Sequence, residues 1–361
     1  MKVLFDIGHP AHVHYFKNLI KLLKQNGDRV LVIARKKDVT HILLSNYKIP
    51  YISRGSGSKT LGGKLLYLFK ANLILFRYSK LFKPDIYVSF ASPYAAQIAY
   101  YFNKPHISFT DTEHAKLGIA SFLPFTDTII TPLSFKSYLG IKHIKFDGYM
   151  ENTYLHPDHF KPNINVLKKL NLNKREKYVV LRLVSWDASH DVGQKGFSIK
   201  NLIKLVNEIK NHARVFISAE NRIPNVLRKY KLNINPTEIH DVLSFAELFI
   251  GEGATMASES AIMGTPSIYV NSLTAGTLEN QQKRGLLHIF NSSEGLIEKS
   301  IEILKNPKIK NETKQKSLSL FENKIDVNNF FLWIISKYPK SIKTQENYKD
   351  IKKYKPTGNL I

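Results

Sequence analysis

The chain contains no cysteine. That excludes a disulfide-stapled scaffold, a cysteine zinc site, an iron–sulfur cluster and a cysteine nucleophile, and it fits a reducing compartment. Acidic residues are scarce. Only 29 Asp and Glu stand against 53 Lys and Arg, a formal net charge of +24. No apolar run is long enough to cross a bilayer: the longest uncharged stretch, 86–103, holds Ser89, Ser92, Pro93 and Gln97 and reads as strand, turn and helix. Residues 3–7 are too short for a signal peptide, contain Asp6 and stop at Gly8. This predicts a cytoplasmic protein. Hydrophobic residues make up 43% of the chain, which excludes wholesale disorder. The 361 residues allow about two domains, each with its own core.

What is present alternates. Short β-branched runs at 2–6, 29–34, 85–89, 106–110 and 128–131 are separated by helical patterns such as 14–26 and 95–102. The rhythm restarts with strands at 178–184, 214–218, 248–250 and 267–270 and a helix at 199–210. Such βα alternation predicts parallel sheets with helices on both faces. The boundaries read as residues 1–160 for a first domain and 161–325 for a second. An apolar helix over 326–340 and a polar basic tail over 341–361 follow.

Several strand-end loops carry the residues of a binding site, because ligands of open α/β sheets sit beyond the carboxyl ends of strands. The first loop, Asp6-Ile-Gly-His-Pro-Ala-His-Val-His14, places His9, His12 and His14 there. A neutral histidine can take a proton from a hydroxyl. The alternatives are helix capping or packing, and a metal site, which no carboxylate cluster at ligand spacing accompanies. A later loop, Phe109-Thr-Asp-Thr-Glu-His114, brings Asp111 and Glu113 to a strand end, as proton-handling groups or as a buried structural network. In the second domain, Gly251-Glu-Gly-Ala-Thr-Met-Ala-Ser-Glu259 ends a strand and opens a helix. Gly253, Ala254 and Thr255 would offer free N–H groups to a phosphate, and Glu259, one turn on, suits a ribose diol. Arg182, Ser185 and His190 follow the domain's first strand and could meet a diphosphate, with Trp186 as a wall. Asn280, Gln281 and Gln282 offer amide donors and acceptors to sugar hydroxyls. The segment 59–83 mixes aromatic, aliphatic and only positive charged residues. It is either a core helix with lysines on its wet side or a helix lying on an anionic membrane.

The phrase 251–266, Gly-Glu-Gly-Ala-Thr-Met-Ala-Ser-Glu-Ser-Ala-Ile-Met-Gly-Thr-Pro, resembles the GT-B superfamily of nucleotide-sugar glycosyltransferases and UDP-N-acetylglucosamine 2-epimerases. Together with the 6–14 phrase it is similar to an uncharacterised GT-B-related domain family of bacteria and archaea. The resemblance covers roughly the first 300 residues. It implies two Rossmann-like parallel-sheet domains facing each other across a cleft, with acceptor binding on the first and nucleotide-sugar binding on the second. By likeness to the N-acetylglucosaminyltransferase that forms lipid II, Ala11-His12-Val13 matches a Gly-His-Val. That makes His12 the proposed base, with His9 and Asp111 as further candidates. Ser258-Glu259 matches a ribose-binding pair, and Gln281-Gln282 a pair that contacts the donor sugar. The glycine-rich first loop of that enzyme is replaced here by Asp-Ile-Gly-His-Pro. The epimerases carry an Asp after the strand that corresponds to 86–89, where this chain has Ser89-Phe-Ala-Ser92.

The expectation is a metal-independent, inverting glycosyltransferase that uses a UDP-linked sugar as substrate and needs no cofactor. Its acceptor would be a lipid-linked or polysaccharide hydroxyl, and its setting the inner face of the plasma membrane. Two alternatives stand beside it. One is an epimerase-like isomerase in which Asp111, Glu113 and His190 handle protons. The other is a non-catalytic nucleotide-sugar-binding protein. The positive charge divides between background lysine and attraction to anionic substrates or lipid. No nucleic-acid partner is expected, because the basic residues are dispersed and no recognised motif accompanies them.

Overall fold

Residues 2–7, Lys-Val-Leu-Phe-Asp-Ile, form a nearly continuous apolar run, the pattern of a strand covered on both faces. A computed structural model describes residues 1–58, 60–184, 198–220, 223–322 and 326–343. In it this run is β1 (Lys2–Ile7), with Val3, Leu4, Phe5 and Ile7 fully enclosed. The helix that follows is α1 (Pro10–Gln25), which starts four residues earlier than the periodicity predicts. Pro10 supplies a preset φ at the first turn, and the His9 ring accepts from the Ala11 amide as the N-cap.

Two units divide the chain: Met1–His156 with Asn323–Ile361, and Pro157–Glu322. The first continues with β2 (Arg29–Ala34), α2 (Thr40–Asn46), β3 (Ile52–Ser53), α3 (Leu61–Phe82), β4 (Ile86–Phe90) and α4 (Pro93–Tyr101). After these come β5 (His106–Phe109), α5 (Lys116–Phe122), β6 (Thr128–Pro132), β7 (His143–Phe146) and α6 (Asn152–Leu155). The sheet is parallel with order β3-β2-β1-β4-β5-β6-β7. Its winding reverses between β1 and β4, where Asp6 pairs in register with Ser89. That reversal opens a crevice beyond the strand ends.

The second unit begins with α7 (Val166–Lys169), β8 (Tyr178–Leu183), α8 (Ile199–Ile209), β9 (Arg214–Ala219), α9 (Ile239–Phe245) and β10 (Leu248–Gly251). It continues with α10 (Ala254–Ile262), β11 (Ser267–Val270), α11 (Gly276–Lys283), β12 (Leu287–Phe290), α12 (Leu296–Lys305) and α13 (Lys308–Ser319). Its parallel order is β12-β11-β10-β8-β9, and its reversal lies between β8 and β10.

The last helices, α14 (Val327–Ser336) and α15 (Lys340–Lys343), belong to the first unit. Phe331 is fully buried, with its ring 4.5 Å from Phe109 and 5.2 Å from Phe146. The Asn328 amide donates to the Thr153 carbonyl at 2.8 Å. Most of the predicted tail, from residue 344 onward, lies outside the described residues.

Candidate functional site

The crevice of the first unit is built on a buried ion pair. Asp6, next to last in β1, has no solvent contact, and Arg54 follows β3. Arg54 Nε donates to Asp6 Oδ1 at 2.8 Å and Nη2 to Oδ2 at 3.3 Å. Ser92 also donates to Oδ2, Arg54 Nη1 donates to the Tyr67 hydroxyl, and the guanidinium lies 4.6 Å from the Tyr94 ring centre. Removing one member would strand a buried charge, at a cost of roughly 3–5 kcal/mol. A second buried set lies beside it. His106 sits between Ser89 (Nε2, 2.9 Å) and Thr126 (Nδ1, 2.9 Å), and burial pushes it down to about 3, so it stays neutral.

The three histidines of the first loop have separate fates. His14 is buried and stacks on Tyr154 at 5.2 Å, a core position. His9 Nδ1 accepts from the Ala11 amide at 3.2 Å, and His12 Nδ1 accepts from the Gly8 amide at 3.3 Å. In a neutral ring one nitrogen accepts and the other carries the proton. The His12 ring is therefore held with the proton on Nε2. His12 is kept well below its ordinary value, first by burial and then by the charges of His9, Lys37 and Arg54. Thus His12 presents a neutral N–H donor. Acting as a base would require surrender of the Gly8 bond or a change of tautomer. Among the described residues no cluster of three or more His, Asp or Glu is arranged to hold a metal.

Asp111 is the second chemical feature of this crevice. Burial lifts its carboxyl to about 6, helped by the charge of Glu113, while the bonds from Thr112 (2.8 Å) and Tyr15 (3.5 Å) oppose the rise. Tyr15 also stacks against the His12 ring at 6.3 Å, so Asp111 and His12 flank one tyrosine. Glu113 Oε1 accepts from the Lys136 amide at 3.0 Å.

In the second unit the β10–α10 turn is drawn tight. A Cβ on Gly251 would lie 2.6 Å from the Phe249 ring and 2.9 Å from Arg182 Cβ, so only glycine fits. Gly253 caps α10 against Val184, and Ala254 and Thr255 open the helix, partly exposed. Glu259 is buried, with Oε1 3.0 Å from Nε2 of His240 on α9. Arg182 is committed to the end of β9, donating to Ser218 and Glu220 at 2.8 Å each. Gln281 is fully buried and donates to Ser258 Oγ at 2.7 Å, whereas Gln282 is exposed. Successive helical residues diverge by about 100°, so the two glutamines do not share a face. The Asn280 side-chain oxygen accepts from Arg284 Nε at 3.0 Å. Ser185, Trp186 and His190 lie outside the described residues.

Arg54, Tyr15 and His240 escaped sequence reading. A lone arginine after a two-residue strand, a tyrosine in an apolar helix and a histidine on a short helix carry no local pattern. The one usable signal was Asp6, a charge inside a strand otherwise buried on both faces.

The segment 61–82 forms one helix. Tyr67, Ala71 and Leu75 face the core, while Leu65, Leu66, Phe69 and Leu73 are exposed beside Lys64, Lys70, Arg77 and Lys80. Among the described residues no helix is long and apolar enough to cross a membrane.

An uncharacterized protein of Methanocaldococcus jannaschii is 28% identical over 279 residues, 74% of this chain and 81% of that protein. The co-structure of S. aureus MnaA with UDP superposes with a TM-score of 0.69 at 12% identity, covering 99% of both chains. A UDP-GlcNAc 2-epimerase of Neisseria meningitidis bound to UDP-GlcNAc gives 0.64 at 13% identity, covering 95% of this chain and 100% of that one. MurG of Acinetobacter baumannii gives 0.59 at 16%, covering 93% and 99%. At these identities the likeness is one of fold, and the fold is GT-B.

Proposed function

The chain belongs to the family described as "Protein of unknown function (DUF354)", whose model matches residues 1–318, and from that premise we propose a glycosyltransferase that moves a sugar from a UDP-linked donor to an acceptor hydroxyl. The second unit takes the donor. The opening of α10 at Ala254 and Thr255 meets the diphosphate, Glu259 with His240 behind it meets the ribose, and Asn280 and Gln282 meet the sugar, while the buried Gln281 braces Ser258. The solved structures of like fold that hold UDP or UDP-GlcNAc support a donor of this class. The first unit takes the acceptor.

The observation that carries the reading is Asp111, a carboxyl at the end of β5 poised near neutrality. Its carboxylate takes the acceptor's hydroxyl proton while that oxygen attacks the anomeric carbon and the bond to the diphosphate breaks, with inversion. His12, held with its proton on Nε2, serves as a donor beside it rather than as the base. Backbone N–H groups of α10 receive the charge left on the diphosphate, so the reaction needs no metal. The basic, apolar outer face of α3 docks on an anionic membrane.

A thermal-shift screen of nucleotide sugars on the full chain tests the reading. A UDP-sugar should raise the melting temperature by mass action and release UDP only when acceptor is added. Absence of any shift with UDP or UDP-sugars would overturn it. Solvent deuterium at C2 of the recovered sugar, with no acceptor present, would transfer the same site to an isomerase.

A further inference from the structure

The carboxyl ends of β1, β2 and β3 gather more positive charge than the fold uses. Arg35 and Lys37 follow β2, Arg54 follows β3, and Lys70 comes from α3. Asp6, a buried carboxylate at these strand ends, is spent on Arg54 and Ser92. Asp38, in the same turn as Lys37, is exposed and forms no ion pair among the described residues. Arg35 shares a ring with Arg54: the two guanidiniums lie 5.4 and 5.6 Å from the centre of Tyr67. Arg54 is paired, but Arg35 has no ion-pair partner among the described residues. Its Nε is buried without a hydrogen-bond partner among the described residues. Two like charges on one aromatic ring repel, and an anion from outside would offset that cost.

The glycines of the two neighbouring loops lie against these cations. A Cβ on Gly57 would fall 2.0 Å from Arg35 Nη2, on Gly55 3.4 Å from Lys70 Nζ, and on Gly8 3.5 Å from Arg54 Nη2. The missing side chains at these glycines thus leave the room that the three cationic side chains occupy, and they lie against the strand-end loops as one cluster. His12 borders it at 3.7 Å from the Gly8 Cβ position, feels both Lys37 and Arg54, and carries its proton on Nε2 as a donor. The N-terminus of α3 is already capped by Thr60 and is not needed.

We infer that this cluster of cations binds a phosphate or diphosphate group carried by the acceptor. The choice of anion follows from charge. Arg35, Lys37 and Lys70 have no carboxylate partner among the described residues, which exceeds what one carboxylate would offset and matches a phosphomonoester or diphosphate. This deepens the reading of the first unit as the acceptor side and rests on it. The group could come from a lipid carrier or from a soluble sugar phosphate.

Calorimetric titration of inorganic pyrophosphate into the full chain, first saturated with UDP, tests the inference. Pyrophosphate should bind the UDP-saturated protein, and Arg35→Gln should weaken it tenfold or more. Lys70→Gln, at an exposed position that folding does not depend on, should weaken it several-fold. Both variants should keep wild-type affinity for UDP. Tighter binding of a short prenyl diphosphate than of pyrophosphate assigns the group to a lipid carrier. Tighter binding of glucose 1-phosphate assigns it to a soluble ester. Either preference supports the site, provided it is lost in Arg35→Gln. UDP binding with no pyrophosphate binding, or equal pyrophosphate affinity in folded Arg35→Gln and Lys70→Gln, overturns this inference and leaves the glycosyltransferase reading intact. Failure of UDP itself to bind overturns that reading instead, and the Arg35 dependence of pyrophosphate binding still decides this one.

Discussion

Asp111 is held near neutrality by a balance that can be checked directly. Burial penalises its charged form, and Thr112 and Tyr15 return only part of that penalty by hydrogen bonding to the carboxylate. A base works only when ionised, so kcat should rise with pH through about 6 and level off above it. Asp111→Asn should lower kcat by roughly 10²–10⁴-fold while leaving KM for the UDP-sugar within about twofold. A pH–rate profile without that acid limb, or an active Asp111→Asn enzyme, would exclude the assignment. The first loop teaches a related lesson. Its histidine content is visible in the sequence, but the backbone amides of Gly8 and Ala11 decide which ring nitrogen of His12 and His9 accepts a hydrogen bond. A role for His12 as base would need that bond given up or the other tautomer.

At the scale of elements, α3 stands out because both of its faces are apolar. A helix packed on a sheet normally turns polar residues outward. Here Leu66 is 73% and Leu73 68% exposed, and the charges flanking them are all positive. Such a face suits the headgroup region of an anionic bilayer. The double substitution Leu66→Glu with Leu73→Glu should abolish co-sedimentation with phosphatidylglycerol vesicles and leave UDP affinity unchanged. Retained sedimentation would assign the exposed stripe no lipid role. The elements themselves were largely legible, since apolar runs of strand length alternate with helical periodicity and glycines mark the turns. Boundaries were less so. The start of α1 depends on a histidine side chain acting as a cap, a role that residue type alone does not announce. In the site, the β10–α10 turn was readable from Gly251 and Gly253, which a close approach demands. The division of Gln281 from Gln282 was not, because adjacency in sequence says nothing of which helical face is covered.

For the whole molecule, the chain leaves its first unit at His156, builds the second, and comes back. The core of the first unit is thus closed by residues more than 150 positions beyond its last strand, with Phe331 set against Phe109 and Phe146. Phe331→Ala should cost about 3–5 kcal/mol of first-unit stability, measured by urea unfolding, and leave UDP binding by the second unit unchanged. An unaltered unfolding midpoint would mean that α14 is dispensable to that core. The sequence by itself determined the class of fold and the strand-end loops where ligands bind, because those depend on local periodicity and on glycine. It also determined the absence of thiol chemistry and the excess of positive charge. Only the tertiary structure decided which charges are spent and which remain. Asp6 finds Arg54 across 48 residues, His240 finds Glu259 across 19, and Arg35 is left on the Tyr67 ring without a carboxylate partner among the described residues. Ion pairing depends on distance in space, which the order of residues along a chain does not record.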